Sequence, residues 1–513
     1  MSYMLGIDTG TSGTRSVIVR PDGHVIGAAT GEHQPMKMQK PGWAEQDPED
    51  WWQATVQSIR AALNEAQLTG ADIAAVGLSG QMHGVVLLDK TNTVIRPALL
   101  WCDQRTQAQC DWITSRVGAQ RLIQLVLNPA LTGFSAPKLL WVRQNEARLY
   151  ERVAHCLLPK DFVRFRLTGD FATDVSDASG TLLFDVANRR WSRDVLSALD
   201  IDPTLLPAAY ESPEITGQIS RETELVTGLK AGTPVVAGGG DQACSAVGNG
   251  IVLPGLTSAT IGTSGVIFAY TEFPKLDPLG RIHTFCHAVP GKWHVMGVTQ
   301  GAGLSLRWFR EQLGEAESQK AHEIGVDAYD LIVKQAEKIP PGSNGLLFLP
   351  YLMGERTPHL DAKARGIWFG LTAGHTRGHL IRSILEGVAF SLRDSLEIFE
   401  QLEIPIEQIR VSGGGSRSSL WRQIQADVYA KELVTLQESE GSAFGAALLA
   451  GVGGKIYSSV AEAAGQAIEI RERVTPDAAR SRIYDRHYQI YRNLYPAVRE
   501  FAHELVGMSA EVA

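Results

Sequence analysis

The sequence lacks the features that are typical of membrane proteins, of secreted proteins and of proteins stabilised by a structural metal ion. It has no run of about 18 apolar residues that would cross a bilayer, and its first residues show no basic segment followed by a cleavable apolar one. Its five cysteines are scattered without a CxxC pair, and its 13 histidines show no HExxH spacing. These absences argue against a membrane span, a disulfide framework and a zinc site, and they predict reduced thiols in the cytoplasm.

The chain also lacks an excess of positive charge. Its 48 lysines and arginines are outnumbered by 56 aspartates and glutamates, which gives a net charge of −8. Nucleic acid and anionic membranes are therefore not expected as main partners. At 513 residues, the chain exceeds what one hydrophobic core usually serves. We expect two domains, 1–248 and 249–513, with the boundary after a glycine-rich segment and a helical tail at the end.

One short motif occurs twice. Gly10-Thr11-Ser12-Gly13 follows an apolar segment that ends at Asp8, and Gly262-Thr263-Ser264-Gly265 follows a second apolar segment about half a chain later. Glycine lets a backbone come near a ligand, and hydroxyls with free amides can surround an anion. Two ordinary tight turns would also fit. The matched flanks and the spacing favour two related lobes that hold one phosphate-bearing molecule between them.

The order of the predicted elements indicates an α/β protein. Three short strands open each half, and Asp47-Pro48 supplies a cap and a first-turn proline for a helix. The predicted strands are 3–7, 16–20, 25–30, 73–78, 257–261, 266–270, 293–298 and 408–412, and the predicted helices include 302–313, 378–401 and 418–431. This order predicts sheets that begin as antiparallel hairpins and continue in parallel.

Asp8 is the first candidate for phosphate chemistry. A carboxylate at the end of a buried strand, directly before a glycine turn, is well placed to hold Mg²⁺ beside a nucleotide phosphate, usually through water. An aspartate in this position is also a common turn former. Arg15, just after the turn, would either reach phosphate oxygens or stand on the surface of the hairpin.

Asp241 is the candidate for the chemical step itself. It follows a short apolar strand and the triplet Gly238-Gly239-Gly240, which leaves room for a substrate to approach the carboxylate. An aspartate that faces a sugar hydroxyl accepts its proton as the oxygen attacks phosphorus. The alternative is a glycine-rich turn in which Asp241 caps a helix that begins near Ala243.

Three further segments are candidates for substrate contacts. The segments 80–84 (GQMHG) and 100–105 (LWCDQR) combine polar groups with an apolar or aromatic wall, which suits a sugar and also fits structural residues or ordinary loops. Gly413-Gly414-Gly415, between a strand and a helix, would let a flat adenine lie against backbone. This triplet is not a GxGxxG fingerprint and GxxxxGK[ST] is absent, so Rossmann and P-loop chemistry lose support.

Two long segments resemble the signatures of one family. Residues 133–145 (GFSAPKLLWVRQN) and 366–386 (GIWFGLTAGHTRGHLIRSILE) resemble those of the FGGY carbohydrate kinases, within the superfamily of sugar kinases, Hsp70 and actin. The resemblance extends over approximately residues 3–500. Within the family it is closest to the xylulokinases, through the segments 80–84, 99–106, 157–185, 238–242 and 349–359.

The resemblance implies a fold and roles for particular residues. It implies two ribonuclease-H-like domains of the actin and hexokinase type, with the active site in the cleft between them. Asp241 resembles the catalytic base, and Asp8 resembles the metal-associated aspartate of the family. Together with the aromatic segment described above, the candidate sugar contacts are Met82, His83, Trp101, Asp103, Asp241 and Gln242. The candidate phosphate and nucleotide contacts are Gly10, Thr11, Ser12, Gly13, Arg15, Gly262, Thr263, Gly413 and Gly414.

The implied reaction is phosphorylation of D-xylulose to D-xylulose 5-phosphate, with ATP and Mg²⁺. Glycerol kinases carry arginine and glutamate where Met82 and His83 stand, which favours a pentulose. Many xylulokinases have asparagine in place of Gln242 and Cys102. Another ketose (L-ribulose, D-ribulose, L-xylulose or a deoxyketose) therefore stays open, as does an ATP-responsive sensor without a sugar acceptor. Apolar helix faces in the second half would be either core or the interface of a homodimer.

Overall fold

Two seven-stranded sheets organise the chain, one from each half of the sequence. The structure, a computed structural model, describes residues 2–437 and 440–512, with side chains up to residue 508. The strands of the first half are β1 (Tyr3–Thr9), β2 (Gly13–Val19), β3 (Val25–Glu32), β4 (Glu45–Gln46), β5 (Ile73–Gly80), β6 (Val86–Leu88), β7 (Ala98–Leu99), β8 (His155–Leu157), β9 (Thr173–Asp174), β10 (Phe184–Asp185), β11 (Arg190–Trp191), β12 (Ala209–Tyr210), β13 (Ile215–Gln218), β14 (Pro234–Val236) and β15 (Gly239–Gly240). Those of the second half are β16 (Gly255–Ile261), β17 (Gly265–Thr271), β18 (His283–Cys286), β19 (Trp293–Thr299), β20 (Leu347–Leu349), β21 (Ile367–Phe369), β22 (Ile406–Gly413), β23 (Glu432–Leu436) and β24 (Ile470–Val474).

Helices cover both sheets. They are α1 (Pro48–Glu65), α2 (Gln107–Val117), α3 (Ala119–Val126), α4 (Ser135–Asn145), α5 (Ala147–Tyr150), α6 (Pro159–Thr168), α7 (Val175–Ser179), α8 (Arg193–Leu199), α9 (Arg221–Thr227), α10 (Asp241–Gly248), α11 (Ala302–Leu313), α12 (Glu315–Ile324), α13 (Ala328–Ala336), α14 (Arg377–Gln401), α15 (Ser419–Tyr429), α16 (Gly441–Gly453), α17 (Val460–Ala467) and α18 (Ala478–Val512). Short 3₁₀ turns occupy Pro203–Leu205, Ser343–Gly345 and Gly414–Ser416. Across the described ranges, none of these helices combines the length and the apolar character that a bilayer crossing requires.

The first sheet has the strand order β13-β14-β5-β1-β2-β3, and its seventh strand, β15, also pairs with β5. β1 pairs with β2 in antiparallel fashion and with β5 in parallel, and β2 pairs with β3 as the second hairpin. α1 begins as the sequence predicts, because the Asp47 side chain accepts the N–H of Glu49 and Pro48 occupies the first helical position. Its buried face, which includes Trp52 and Ile59, packs into the core of this first lobe.

The second sheet repeats this arrangement. Its order is β18-β19-β17-β16-β22-β23-β24, and β16 again pairs with one antiparallel neighbour (β17) and one parallel neighbour (β22). A further antiparallel pairing, between β17 and β19, corresponds to the one between β2 and β3, with β18 inserted between the two strands in the chain. The predicted α/β class with two lobes is therefore confirmed. The exact division at residue 248 stays a prediction.

One helix crosses from the second half of the chain into the first lobe. α16 packs on β1, β5 and β2, where its Ala446 and Leu448 share a buried cluster with Met4 and Val17. Glycine at position 6 makes this approach possible, because a Cβ there would lie 1.9 Å from a backbone oxygen of the helix. α10 lies against α16 and also packs against β17 of the second lobe. Each half of the chain therefore covers part of the other.

Candidate active site

The carboxyl ends of neighbouring strands bring the first candidate residues together. β1, β5 and β15 run parallel, with Asp8 opposite Ser79 near the ends of β1 and β5. Asp8 and the turn 10–13, the segment 81–84 after β5, and Asp241 after β15 therefore meet at one edge of the first sheet. Open α/β sheets bind their ligands at this edge.

The Asp8 carboxylate has an unsatisfied oxygen. Its Oδ1 is buried and has no hydrogen-bond partner among the described residues. Burial raises the pKa of this carboxyl above its ordinary value, and the weaker effect of the Ser79 side chain, opposite Asp8 on β5, lowers it. Carboxylate oxygens are preferred ligands of Mg²⁺, which keeps several of its waters and binds substrate phosphates. Within the described ranges no three acidic, histidine or cysteine side chains are grouped to hold a metal ion. The site thus fits Mg²⁺ held by one carboxylate, water and phosphate.

Asp241 is the first residue of α10, and Gly240 stands at the N-cap. The alternative in which Asp241 caps a helix from Ala243 is therefore wrong. The Asp241 Oδ1 accepts the backbone N–H of Gln242 at 2.8 Å. Burial, with the negative charge of Asp8, raises the pKa of Asp241 to about 7. A carboxylate with a pKa near neutrality is tuned to accept protons at physiological pH.

His83 is held in one tautomer. Its backbone adopts the left-handed region, with φ at +69°, and its Nδ1 lies 2.7 Å from the carbonyl oxygen of Gly180. Because a carbonyl only accepts hydrogen bonds, Nδ1 carries the proton and Nε2 is left as an acceptor. Burial lowers the pKa of His83 to about 3, so the ring is neutral. The side chain of Met82 lies beside Gly240, where a Cβ would be 2.8 Å from the Met82 Cγ.

A cavity of about 220 Å³ joins these residues to the second lobe. The first half of the chain lines it with Met82, His83, Trp101, Leu131, Gly133, Phe134, Asp241 and Gln242, and the second half lines it with Ser264, Val266, His283, Met296, Val298 and Arg356. The volume is below the roughly 300–1,000 Å³ of sites for drug-sized ligands, so a small polar molecule suits it. Five of the six predicted sugar contacts meet here.

Asp103 is the sixth predicted sugar contact, and it lies outside the residues that line this cavity. It is fully buried, and its Oδ2 lies 2.7 Å from Nη2 of Arg105. The same oxygen accepts the backbone N–H of Ala44 at 2.7 Å. Through these contacts Asp103 stabilises its own loop. We therefore leave it out of the sugar contacts proposed below.

The first Gly-Thr-Ser-Gly turn is joined to the wall of the cavity. The N–H of Gly10 donates to the carbonyl of Gly13 at 3.0 Å, which closes the turn. The Thr11 hydroxyl donates to Oε1 of Gln81 at 3.2 Å and accepts Nε1–H of Trp101 at 3.1 Å. This hydroxyl therefore links the turn to the aromatic wall, while Ser12 is exposed.

Arg15 is occupied by protein partners. Its guanidinium forms an ion pair with Glu440, directly before α16, and donates to the Thr30 hydroxyl at 3.0 Å. The side chain thus joins the first sheet to the helix that crosses into this lobe. A direct contact between Arg15 and phosphate stays a prediction, and it would require this pair to open.

A larger cavity of about 730 Å³ lies in the second lobe. Its lining residues are Ile261, Gly262, Thr263, Gly303, Leu304, Leu306, Arg307, Asp327, Tyr329, Asp330, Val333, Lys334, Glu337, Gly414, Gly415, Arg417, Ser418, Ser419 and Trp421. Three of the predicted nucleotide contacts are among them. Gly413 precedes this lining with φ at +78°, and a Cβ on it would lie 2.5 Å from the carbonyl oxygen of Ile261. Only glycine fits at this close approach.

The second Gly-Thr-Ser-Gly turn borders both cavities. Gly262 and Thr263 line the larger one, and Ser264 lines the smaller one. The turn is fixed, because the N–H of Gly262 donates to the carbonyl of Ser264 at 3.0 Å and the N–H of Gly303 donates to Gly262 at 2.9 Å. A group held at this turn is within reach of both cavities.

Among the residues that line the smaller cavity but were not predicted as contacts are one arginine, Arg356, and one histidine, His283. Arg356 lies in the segment 349–359 (LPYLMGERTPH), which carried part of the family resemblance, so a signal existed for it. His283 lies on β18 without a motif around it, and only the pairing of β18 with β19 brings it to the cavity. Sequence spacing alone gives no signal for this residue.

Comparisons with known proteins extend along the whole chain. Residues 3–248 and 257–454 match the N-terminal and C-terminal domains of the FGGY family of carbohydrate kinases. Xylulose kinase of Bacillus subtilis (strain 168) is 39% identical over 500 residues, which are 98% of each chain. Xylulose kinase of Escherichia coli (strain K12) is 39% identical over 492 residues, 96% of this chain and 98% of the relative. The crystal structure of a "xyloylose kinase" from Brucella ovis is 36% identical, with a TM-score of 0.88 over 97% of this chain and 100% of that one.

These matches confirm the predicted two-domain architecture of the actin and hexokinase type. The presence of two cavities is consistent with these matches, because a carbohydrate kinase needs one site for a sugar and one for ATP. The protein is an enzyme that phosphorylates a sugar with ATP. With matches over most of its length, the chain belongs to the FGGY family of carbohydrate kinases.

Proposed function

We propose that this enzyme transfers the γ-phosphoryl group of ATP to the C5 hydroxyl of D-xylulose and releases D-xylulose 5-phosphate and ADP. The observation that carries the proposal is the turn 262–265, which borders both cavities, while Asp241 lines the smaller one. The Bacillus subtilis and Escherichia coli relatives are both named xylulose kinase, which supports xylulose as the sugar. The size of the smaller cavity supports a small polyol.

Asp241 acts as the general base. Its carboxylate accepts the proton of the C5 hydroxyl as the C5 oxygen forms a bond to the γ-phosphorus and the bond from that phosphorus to the leaving ADP oxygen breaks. The raised pKa, about 7, supports this role because the carboxylate is basic enough to take the proton and still ionises at neutral pH. General-base assistance is worth about 10²–10⁴ in rate.

The sugar is oriented by the other residues of the smaller cavity. His83 presents a neutral ring whose Nε2 accepts a hydroxyl proton, and the amide of Gln242 both donates and accepts. Met82 and Trp101 supply apolar walls for the carbon chain. Because phosphoryl transfer asks little covalent work of a protein, this alignment contributes as much as the base does.

ATP occupies the larger cavity, with its adenine near Gly414 and its phosphates toward Thr263. In each Gly-Thr-Ser-Gly turn, backbone amides other than that of the first glycine, which closes the turn, donate to phosphate oxygens. Asp8 would hold Mg²⁺ through water, and the ion would supply neutralisation of charge on the transferring phosphoryl group. The unsatisfied oxygen of Asp8 supports this assignment.

The test is a panel of purified ketoses assayed with Mg-ATP by coupled ADP release. D-xylulose should give a higher kcat/KM than L-ribulose, D-ribulose or L-xylulose, and phosphorus NMR of the product should show the ester at C5. The Asp241→Asn variant serves as the matched control for contaminating kinases. A ten-fold or greater preference for another ketose would change the substrate, and a lack of ketose-stimulated ATP turnover would contradict the whole proposal.

Two further predictions concern location and assembly. We propose that the enzyme works in the cytoplasm, where reduced thiols and ATP are both present. We also propose a homodimer that uses the outer face of α18, since Ile490 and Phe501 on this helix are 54% and 66% exposed. Light scattering of the wild type and of a Phe501→Glu variant tests the dimer, which is contradicted if the wild type has the mass of one chain.

A further inference from the structure

Arg356 brings the only arginine or lysine side chain to the smaller cavity, among the residues that line it. Its backbone N–H donates to Oε1 of Glu355 at 2.7 Å. Its half-buried guanidinium has neither a hydrogen bond nor an ion pair within the described ranges. The charge of Glu355 acts on this guanidinium, but a guanidinium without hydrogen-bond partners in a desolvated site is still unfavourable for stability. A side chain kept in this state points to a ligand that pairs with it.

Two histidines that line the cavity, His83 and His283, feel the charge of Arg356. The Asn128 amide donates to two carbonyls, so its Oδ1 accepts, and Nδ1 of His283 at 2.9 Å must carry a proton. Burial lowers the pKa of both histidines, and the charge of Arg356 lowers it further. Both rings are therefore neutral, and each has Nε2 left as an acceptor. Together the three residues offer one group that only donates and two ring nitrogens that accept.

Asp241 lines the same cavity as Arg356. The charge that acts on the Asp241 carboxylate is that of Asp8, whereas the charge that acts on His83 and His283 includes Arg356. The cavity therefore presents a proton acceptor and a guanidinium to the same ligand. A ligand that fits has a hydroxyl for Asp241 and an acceptor-only group for Arg356.

An open-chain 2-ketopentose has this pattern. In solution such a sugar also closes into a furanose ring, in which the C5 oxygen becomes a ring atom and has no proton to give. Only the open chain carries a free C5 hydroxyl, and only the open chain carries a C2 carbonyl, which accepts hydrogen bonds and cannot donate. Arginine has five donors and no acceptor, so it matches this carbonyl.

We propose that Arg356 donates to the C2 carbonyl oxygen of the open-chain ketose and thereby selects the form of the sugar that can be phosphorylated. This inference rests on the proposed phosphorylation of D-xylulose at C5. The hydroxyls next to the carbonyl donate to Nε2 of His83 and His283. Arg356 is thus a residue of substrate recognition, and it leaves the proton transfer to Asp241.

The experiment compares D-xylulose with xylitol, in which the C2 carbonyl is replaced by a hydroxyl. The variants are Arg356→Met and Arg356→Lys, with Arg60→Met on the exposed face of α1 as the matched control. We measure kcat/KM for D-xylulose and the KM of ATP. For xylitol we measure kcat/KM if it is a substrate, or the inhibition constant if it is a competitive inhibitor. Melting temperatures verify that each variant is folded.

The loss of one charged hydrogen bond predicts that Arg356→Met lowers kcat/KM for D-xylulose about 10- to 100-fold. The kcat/KM or inhibition constant of xylitol should change by less than about threefold, because xylitol has no C2 carbonyl to accept the hydrogen bond that the variant removes. Arg356→Lys should retain part of the preference for D-xylulose over xylitol. Arg60→Met should retain all of this preference. The KM of ATP should stay constant throughout.

Equal losses for D-xylulose and xylitol would overturn the inference, since they would indicate a general electrostatic or structural role. An unchanged kcat/KM for D-xylulose in Arg356→Met would also overturn it, while leaving the proposed reaction intact. A wild type that phosphorylates no ketose would overturn the proposed function first, and this inference with it.

Discussion

Replacing Asp241 by asparagine should lower activity and raise stability at the same time. Asparagine keeps the shape of the side chain and the acceptor for the Gln242 N–H, but it has no carboxylate to take the proton of the sugar. Turnover should fall by about 10²–10⁴, the usual contribution of a general base. The acid limb of the kcat/KM profile of the wild type, expected near the pKa of about 7, should disappear with it.

The stability change has the opposite sign and depends on pH. The pKa of Asp241 is raised from 3.8 to about 7, so the folded protein binds this proton more tightly than the unfolded chain does. The wild type therefore loses stability as the pH rises from about 4 to about 7, by up to about 4 kcal/mol at 1.36 kcal/mol for each unit. Asparagine has no such titration. The variant should be the more stable protein at about pH 8, and the difference should shrink toward pH 5.

The assays are kcat/KM against pH and urea unfolding at both pH values. The exposed Asp111 supplies the matched control, because Asp111→Asn removes the same charge at a residue that lines neither cavity. Near-normal turnover in Asp241→Asn, or an acid limb that survives the substitution, would refute the assignment of the base. A variant that is less stable than the wild type at pH 8 would refute the account of the buried charge.

Three further predictions follow from the same geometry. Asp8→Asn should raise the Mg²⁺ concentration needed for half-maximal rate and shift the acid limb of Asp241 to lower pH, because one like charge is removed; an unchanged Mg²⁺ requirement contradicts the metal assignment. Gly413→Ala should destabilise the fold by about 1–3 kcal/mol, whereas Gly414→Ala should be well folded and mainly raise the KM of ATP; equal unfolding midpoints would contradict the strain at position 413. His83→Asn should lower kcat/KM for the ketose about tenfold without changing the KM of ATP, and a loss in the ATP constant instead would move this residue to the other cavity.

Local signals were sufficient for the framework of both lobes. The helix 302–313 has the bounds that the sequence predicts, and the 25-residue helix Arg377–Gln401 begins one residue before its predicted start. Both Gly-Thr-Ser-Gly turns lie between antiparallel strands as expected. Such features depend on glycine turns, caps and apolar spacing, which are written within a few residues of each other.

Contacts between residues far apart in the chain could not be predicted from local sequence patterns. Arg15 and Glu440 pair across 425 residues, and a sequence pattern gives no sign that the arginine is already occupied. The sequence around Asp103 does not distinguish an aspartate that binds a sugar from one that pairs with Arg105. Only the folded chain determines which partner Asp103 contacts. The end of the second domain was predicted as a helical tail, and helix α18 (Ala478–Val512) follows strand β24 (Ile470–Val474), which pairs with β23 to complete the second sheet and was not predicted.

The crossing of α16 into the first lobe has a consequence for biosynthesis. Domains commonly fold in order as they leave the ribosome, the N-terminal one first. Here α16, which lies over Met4 and Val17, is encoded after residue 440, so it is made more than 400 residues after the strands that carry Met4 and Val17. The nascent N-terminal lobe must therefore wait for that late segment, and it offers chaperones an apolar surface throughout the delay.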